Sequence, residues 1–254
     1  MSISDRIMKI SPLSFAGRAI RLPLRLVPRN IEVPVLSGIN RGMHWITGAG
    51  TTNASWIGHY EADHVFALRQ LVHPGSIAFD LGANAGFYTL ALSRLVGDSG
   101  HVYCFEPEAG NAYLLRRHIE INKLRNVTFV QAAISDSTGM VGFDGALKSA
   151  SGEITSGGSY LIPSISLDEF IAAGNPPPSF IKMDIEGAEE MALEGAKNLL
   201  SKQRPAWLVA THTNELTASC RKTLTGYGYR LTGFDCASDP GNAADFIAIP
   251  ISRA

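Results

Sequence analysis

IAFDLGANAGFYTLALSRL, residues Ile77 to Leu95, decides the fold. An apolar run ends in Asp80, passes through small residues between Gly82 and Gly86, and resumes from Phe87 with helical spacing. That order reads as a strand, a tight turn and a helix, the arrangement that holds nucleotide-like ligands. A dinucleotide fingerprint requires further glycines two and five positions after the first, where this chain has Asn84 and Phe87. A phosphate-cradling loop fails as well, because no Gly-Lys-Ser/Thr follows. A carboxylate at Asp80 would repel a pyrophosphate but suits a ligand bearing an ammonium and a sulfonium. Gly82 and Gly86 permit close backbone approach around Asn84, and the following helix N-terminus favours a ligand carboxylate. S-adenosyl-L-methionine has these features. Glu106, ending the next apolar run, is then placed to accept hydrogen bonds from ribose hydroxyls. The plainer reading is that Asp80 and Glu106 only cap neighbouring helices.

Around this turn the chain alternates strands and helices. Strands are expected at Ile77–Asp80, His101–Glu106, Val127–Ala132, Ser179–Asp184 and Ala206–His212, with two more in YRLTGFD and ADFIAIP. Helices are expected at Phe87–Val96, Asn111–Leu124, Gly187–Leu200 and Glu215–Leu224, and another in SWIGHYEADHVFALRQLV. The fold class is therefore α/β, doubly wound around a mostly parallel seven-stranded sheet, with an antiparallel hairpin at the C-terminal edge. Short strands are expected around Gly38 and Gly42. Four Gly and four Ser between Gly145 and Tyr160 mark a surface loop, a candidate lid over the acceptor. SLDEF reads as a capping box, with Ser166 capping the helix and Glu169 reaching back.

A chain of 254 residues, 45% hydrophobic and with net charge −1, suits one large domain and carries no basic field for nucleic acid. Residues 45–254 are assigned to that domain and residues 1–44 to an N-terminal extension. Cys104, Cys220 and Cys236 are sparse and unpaired in spacing, which reads as free thiols in a reducing, cytoplasmic compartment. No apolar run is long enough to cross a bilayer. Basic residues from Arg6 to Arg29 face Asp5 alone, so the extension is either an arm touching an anionic membrane or an ordinary packed segment. Pro12, Pro23 and Pro28 favour the latter.

SFIKMDIEGAEE forms a second constellation. A central parallel strand is normally apolar throughout, yet Lys182 and Asp184 interrupt this one on the same face. They can form a structural ion pair or a charged shelf where an acceptor hydroxyl meets the methyl group. Glu186 stands close enough to Asp184 to share a proton, whereas Glu189 and Glu190 suit the helix dipole. No metal ligand set is assigned, because no His joins these carboxylates in sequence. His59 and His64 do not share a helix face and are read as incidental. Trp56, Tyr60 and Glu61 are either core or a lid over the methionine end of the cofactor, with Glu61 assigned to the cofactor.

FDLGANAGFYTL, FEPEAGNAYLLRRHIEIN, SLDEF and IKMDIEGAEEMALEGA resemble, in order, the blocks of FkbM-type methyltransferases, from about Trp45 to the C-terminus. The resemblance implies the class I S-adenosylmethionine-dependent fold and O-methylation of a small-molecule or saccharide hydroxyl. Many methyltransferases place an acid after the third strand for the adenine amine. This chain has Ala132 and Ala133 there, so backbone groups at Ala133 are expected to serve. Thr211-His212 stands where relatives often have an acid before the His, and His212 is retained as a candidate base after Asp184. The competing readings are a non-catalytic S-adenosylmethionine-binding module and a nucleotide-cofactor oxidoreductase.

Overall fold

The computed structural model describes residues 27–50, 53–58, 60–144, 152–155 and 157–252. His59 and most of the basic N-terminal arm fall outside them, as do residues 145–151 of the Gly/Ser segment. Among the described residues no helix is long and apolar enough to cross a membrane.

The chain opens with β1 (Glu32–Pro34) and β2 (His44–Ile46), an antiparallel pair. This pair straddles residue 44, and Val35 and Ile39 are buried in the main core. The boundary drawn there from the sequence thus cuts through a hairpin. Two helices follow, α1 (Ala54–Ile57) and α2 (Ala62–Leu71). Then come β3 (Ile77–Leu81), α3 (Phe87–Val96), β4 (His101–Phe105), α4 (Ala109–Ile121) and β5 (Val127–Val130).

The next stretch departs from expectation. The third strand stops at Val130, and Ala133–Ile134 turn away as β6 into a separate four-stranded sheet. That sheet also holds β7 (Gly139–Asp144), β8 (Glu153–Ile154) and β9 (Tyr160–Ile165). Its order is β6-β9-β7-β8, so part of the segment read as a loop is a paired strand. α5 (Leu167–Ala172) begins with half a capping box. The Glu169 N–H donates to the Ser166 hydroxyl at 3.3 Å, while the Glu169 carboxylate accepts from the Thr138 N–H at 3.2 Å instead of reaching back.

β10 (Phe180–Met183) leads into α6 (Glu189–Glu194), much shorter than the expected helix. A Cβ at Gly195 would lie 2.3 Å from the Ser135 carbonyl oxygen, so the backbone passes close here. The chain then winds into a wide turn at Leu199–Gln203. β11 (Ala206–Val209), α7 (Asn214–Gly226), β12 (Tyr229–Thr232) and β13 (Phe246–Pro250) complete the described elements.

The main sheet has seven strands in the order β12-β13-β11-β10-β3-β4-β5. From β11 to β5 it is parallel; β13 enters antiparallel between β11 and β12. Side chains alternate between its faces, and both faces are covered. Ala78, Phe180, Leu208 and Ile247 pack with Leu68 and Leu90 on one side. Phe79, Ile181, Trp207 and Phe246 pack with Leu193 and Leu199 on the other. Each fully buried Phe contributes roughly 1.5–3 kcal/mol over an exposed one.

The same alternation puts Asp80 on the face of Ala78 and Lys182 on the face of Phe180. Asp80 and Lys182 are also register partners on adjacent strands. Strand ends meet closely: Gly82 has φ +73°, and a Cβ there would lie 1.9 Å from the Asp184 carbonyl oxygen. The close approach of the Asp184 carbonyl thus itself requires Gly82. Gly82→Ala is expected to cost about 2 kcal/mol or more, from the left-handed backbone plus the clash. Urea denaturation measures this, and a stability equal to wild type would mean that the two loops move apart freely.

Candidate active site

A cavity opens at the carboxyl ends of β3, β4, β10 and β11, where open α/β sheets place ligands. Its volume is about 280 Å³, near the lower end of the roughly 300–1,000 Å³ of clefts for drug-sized ligands. Glu61, Asn84 and Glu186 line it with left-handed backbones, at φ 45°, 49° and 53°. Such conformations cost energy in non-Gly residues and cluster where geometry serves a site.

On one side lies the turn after β3. Asn84 donates its backbone N–H to Glu106 Oε2 at 2.8 Å, and the Glu108 N–H donates to Oε1 at 2.9 Å. Each Glu106 oxygen keeps further acceptor capacity beside the cavity. Burial pushes the Glu106 carboxyl up to about 7, against the two N–H donors and Lys182. Phe105, Ala132, Ala133, Ile134 and Phe143 supply an apolar wall nearby.

On the other side stand Lys182, Asp184, Glu186 and His212. Lys182 is 3% exposed. Its Nζ donates to the Gly82 carbonyl at 3.0 Å and lies 3.4 Å from Asp184 Oδ2 and 3.8 Å from Asp80 Oδ1. The ammonium also sits 5.0 Å from the centre of the Tyr88 ring. Burial works against its charge, but Asp184 and Asp80 outweigh that and hold it protonated. His212 Nε2 lies 3.0 Å from Asp184 Oδ1 and 3.4 Å from Glu186 Oε2. The bond to Asp184, with the nearby carboxylates, raises the imidazole to about 9. Burial alone would raise Asp184, but Lys182 and His212 outweigh it and hold the carboxyl well below the usual range.

Several expectations change. Asp80 does not line the cavity: it is fully buried behind the turn, with Oδ2 accepting from the Thr89 hydroxyl at 2.6 Å. Its sequence position at the strand end carried the ligand argument, but the Thr89 hydroxyl and the Lys182 ammonium take up its carboxylate. Glu189 is also buried, accepting from the Gly187 and Ile185 N–H groups. His64, read as incidental, binds Glu61 and Asp245 beside the cavity. The spacing of Glu61 and His64, three apart at a helix start, was the available signal.

His212 does join the carboxylates in space: donor atoms of Asp184, Glu186 and His212 lie within 4.8 Å of one another. The Asp184 and Glu186 carboxylates would attract a divalent cation there, and the Lys182 ammonium 3.4 Å from Asp184 would oppose it.

The model of the FkbM methyltransferase domain matches residues 80–231, more than half of the chain. The chain belongs to the FkbM methyltransferase family. Glu106, Lys182, Asp184, Glu186 and His212 lie within the FkbM match, whereas Glu61 and His64 precede it. A hexuronic acid methyltransferase, AglP of Haloferax volcanii, is 27% identical over 143 residues. That alignment covers 55% of this chain, which spans only 58% of the relative's length. An FkbM methyltransferase structure from Methylobacillus flagellatus aligns with TM-score 0.48 at 19% identity, covering 78% of this chain and 55% of that one. An S-adenosylmethionine-dependent O-methyltransferase from Thermotoga maritima gives TM-score 0.48 at 15% identity over 77% of this chain and 67% of its own. The strand order and pairing of the FkbM chain itself give the expected fold, an α/β unit around a mostly parallel seven-stranded sheet with an antiparallel C-terminal edge.

Proposed function

We propose that the chain is an S-adenosylmethionine-dependent O-methyltransferase acting on a hydroxyl of a saccharide, glycolipid or natural product. The observation that carries this is the pairing of His212 with Asp184 across the cavity from Glu106. The residues fit the cofactor. Glu106 keeps free acceptor capacity for ribose hydroxyls, the wall at Ala133 and Phe143 suits a flat base, and Glu61 supplies an anion for an ammonium. When bound, S-adenosylmethionine supplies an electrophilic methyl group on a positive sulfur.

The protein's part is to hold the acceptor hydroxyl in line and to take its proton. A neutral His212 that donates Nε2–H to Asp184 leaves its Nδ1 lone pair as the base. Asp184 is too weak a base for this task and instead fixes the imidazole, as the carboxylate of a base–orienter pair does. Lys182 anchors Asp184 from behind. Glu186 stabilises the imidazolium that forms. A saccharide acceptor is favoured by the likeness to a hexuronic acid methyltransferase.

Calorimetry with S-adenosylhomocysteine and NAD, and labelled methyl transfer to uronic acid glycosides and polyol natural products, test this reading. Heat with NAD and none with S-adenosylhomocysteine would overturn it. Glu106→Ala is expected to weaken S-adenosylhomocysteine by about 1–3 kcal/mol, the cost of unpaired hydroxyls. Because the hydroxyls donate to the ionised carboxylate, wild-type affinity is expected to be full above pH 7 and to fall below it.

A further inference from the structure

Beside the cavity, outside the Asp184–His212 pair, lies a second cluster of titratable groups. His64 Nδ1 lies 2.8 Å from Glu61 Oε2, and His64 Nε2 lies 3.2 Å from Asp245 Oδ2. An imidazole whose two nitrogens both face carboxylates is satisfied only when both carry hydrogen, that is, as imidazolium. The ring is held at its edge by Phe234, 4.3 Å between centroids, and its side chain is only 11% exposed. The same Glu61 oxygen accepts from the Tyr88 hydroxyl of α3. Glu61 itself sits in a left-handed conformation at the start of α2, makes no cap bond to that helix, and lines the cavity.

We propose that His64, braced by Asp245, is a positioning residue that keeps Glu61 aimed into the cavity as an anion for the ammonium of an amino-acid-bearing nucleoside. The proposal rests on the S-adenosylmethionine reading above and assigns the methionine end of that ligand. The charged and titratable groups facing His64 are Glu61 from its own helix start, Tyr88 from α3 and Asp245 from the segment before β13. Tyr60 and Lys182 act on it through Glu61. Burial alone would lower His64, but Asp245 and Glu61 raise it to about 9. Burial alone would raise Glu61, but hydrogen bonds from His64 and Tyr88 outweigh it and hold the carboxyl below its ordinary value.

Binding of S-adenosylhomocysteine and of 5′-methylthioadenosine, which shares the nucleoside but lacks the ammonium, separates this role from a merely structural one. His64→Gln in the full chain is expected to weaken S-adenosylhomocysteine about tenfold or more while leaving methylthioadenosine within about twofold. The ratio of the two affinities cancels the effect of Glu106, which both ligands meet. In wild type that ratio is expected to stay constant between pH 6 and 8. In His64→Gln it is expected to fall towards pH 6, because a buried Glu61 without its cation takes up a proton. Asp245→Asn, at the surface end of the cluster, is expected to show the same pattern more weakly. His64→Gln on a Glu61→Gln background should add nothing further. Equal loss of both ligands, or no loss with a flat ratio, would overturn the positioning role. A wild-type chain that binds neither ligand would overturn the cofactor reading together with it.

Discussion

Replacing His212 with Gln is expected to lower methyl-transfer turnover by about 10²–10⁴-fold at saturating cofactor, as loss of a general base does. Affinity for S-adenosylhomocysteine should stay within a few-fold, since His212 stands across the cavity from Glu106. The pH dependence gives the sharper reading. The imidazole is held at about 9 by Asp184 and its neighbouring carboxylates, so most of the enzyme carries a protonated His212 at neutral pH. Only the deprotonated fraction can accept the hydroxyl proton, so wild-type turnover should climb as pH rises from 7 through about 9 and level off above it. Glu186→Gln removes one of the charges that raise the imidazole, and should shift that climb to lower pH. Initial-rate profiles of the three proteins on one acceptor provide the check. A His212→Gln enzyme with wild-type turnover would overturn the assignment of His212 as the base.

Lys182→Met is expected to destabilise the fold by about 3–5 kcal/mol, the usual cost of breaking a buried ion pair from one side. The ammonium is the cation facing Asp80, whose Oδ1 has no hydrogen-bond partner. Burial raises the Asp80 carboxyl above its ordinary value even with Lys182 present, opposed by Lys182 and Thr89. Removing the ammonium raises it further. A group with a raised folded pKa contributes stability that is present at low pH and lost as pH climbs through that value. The deficit of Lys182→Met should therefore be larger at pH 8 than at pH 5. Adding Asp80→Asn should recover part of it at pH 8. Urea midpoints at the two pH values measure both effects, and a deficit independent of pH would assign the loss to packing alone.

What the sequence disclosed follows from how local each signal is. The Ile77–Leu95 turn was readable because a strand, its glycines and a helix lie in one uninterrupted stretch, and α3 begins and ends where the apolar spacing placed it. Lys182 was readable as an anomaly in an apolar strand. Its partner Asp80 was not, because the register that brings them together joins strands a hundred residues apart. For the same reason Asp80 was read towards a ligand: its place at a strand end is local, but the Lys182 ammonium and Thr89 hydroxyl that occupy its carboxylate come from a distant strand and the next helix. The four-stranded sheet escaped because GMVGFD and YLIPSI carry Gly or Pro and are half-exposed, so their alternation is weak. α6 was overextended because the apolar spacing runs on through Gly195, where the chain turns before winding on to Gln203. His64 gave only a faint signal, because Asp245 lies far down the chain.

The position of β13 bears on synthesis at the ribosome. The strand that arrives last among those described does not sit at the rim but slots between β11 and β12. Until residues 246–250 emerge, the Trp207–Val209 edge of β11 has no neighbour on that side. The nascent chain therefore carries an unpaired apolar edge of the kind that recruits other chains. Asp245 directly precedes that strand, so the brace on His64 forms only when the closing strand docks. Completion of the sheet and bracing of His64 are thus one event, and a polypeptide released early would combine a sticky flank with an unbraced imidazole.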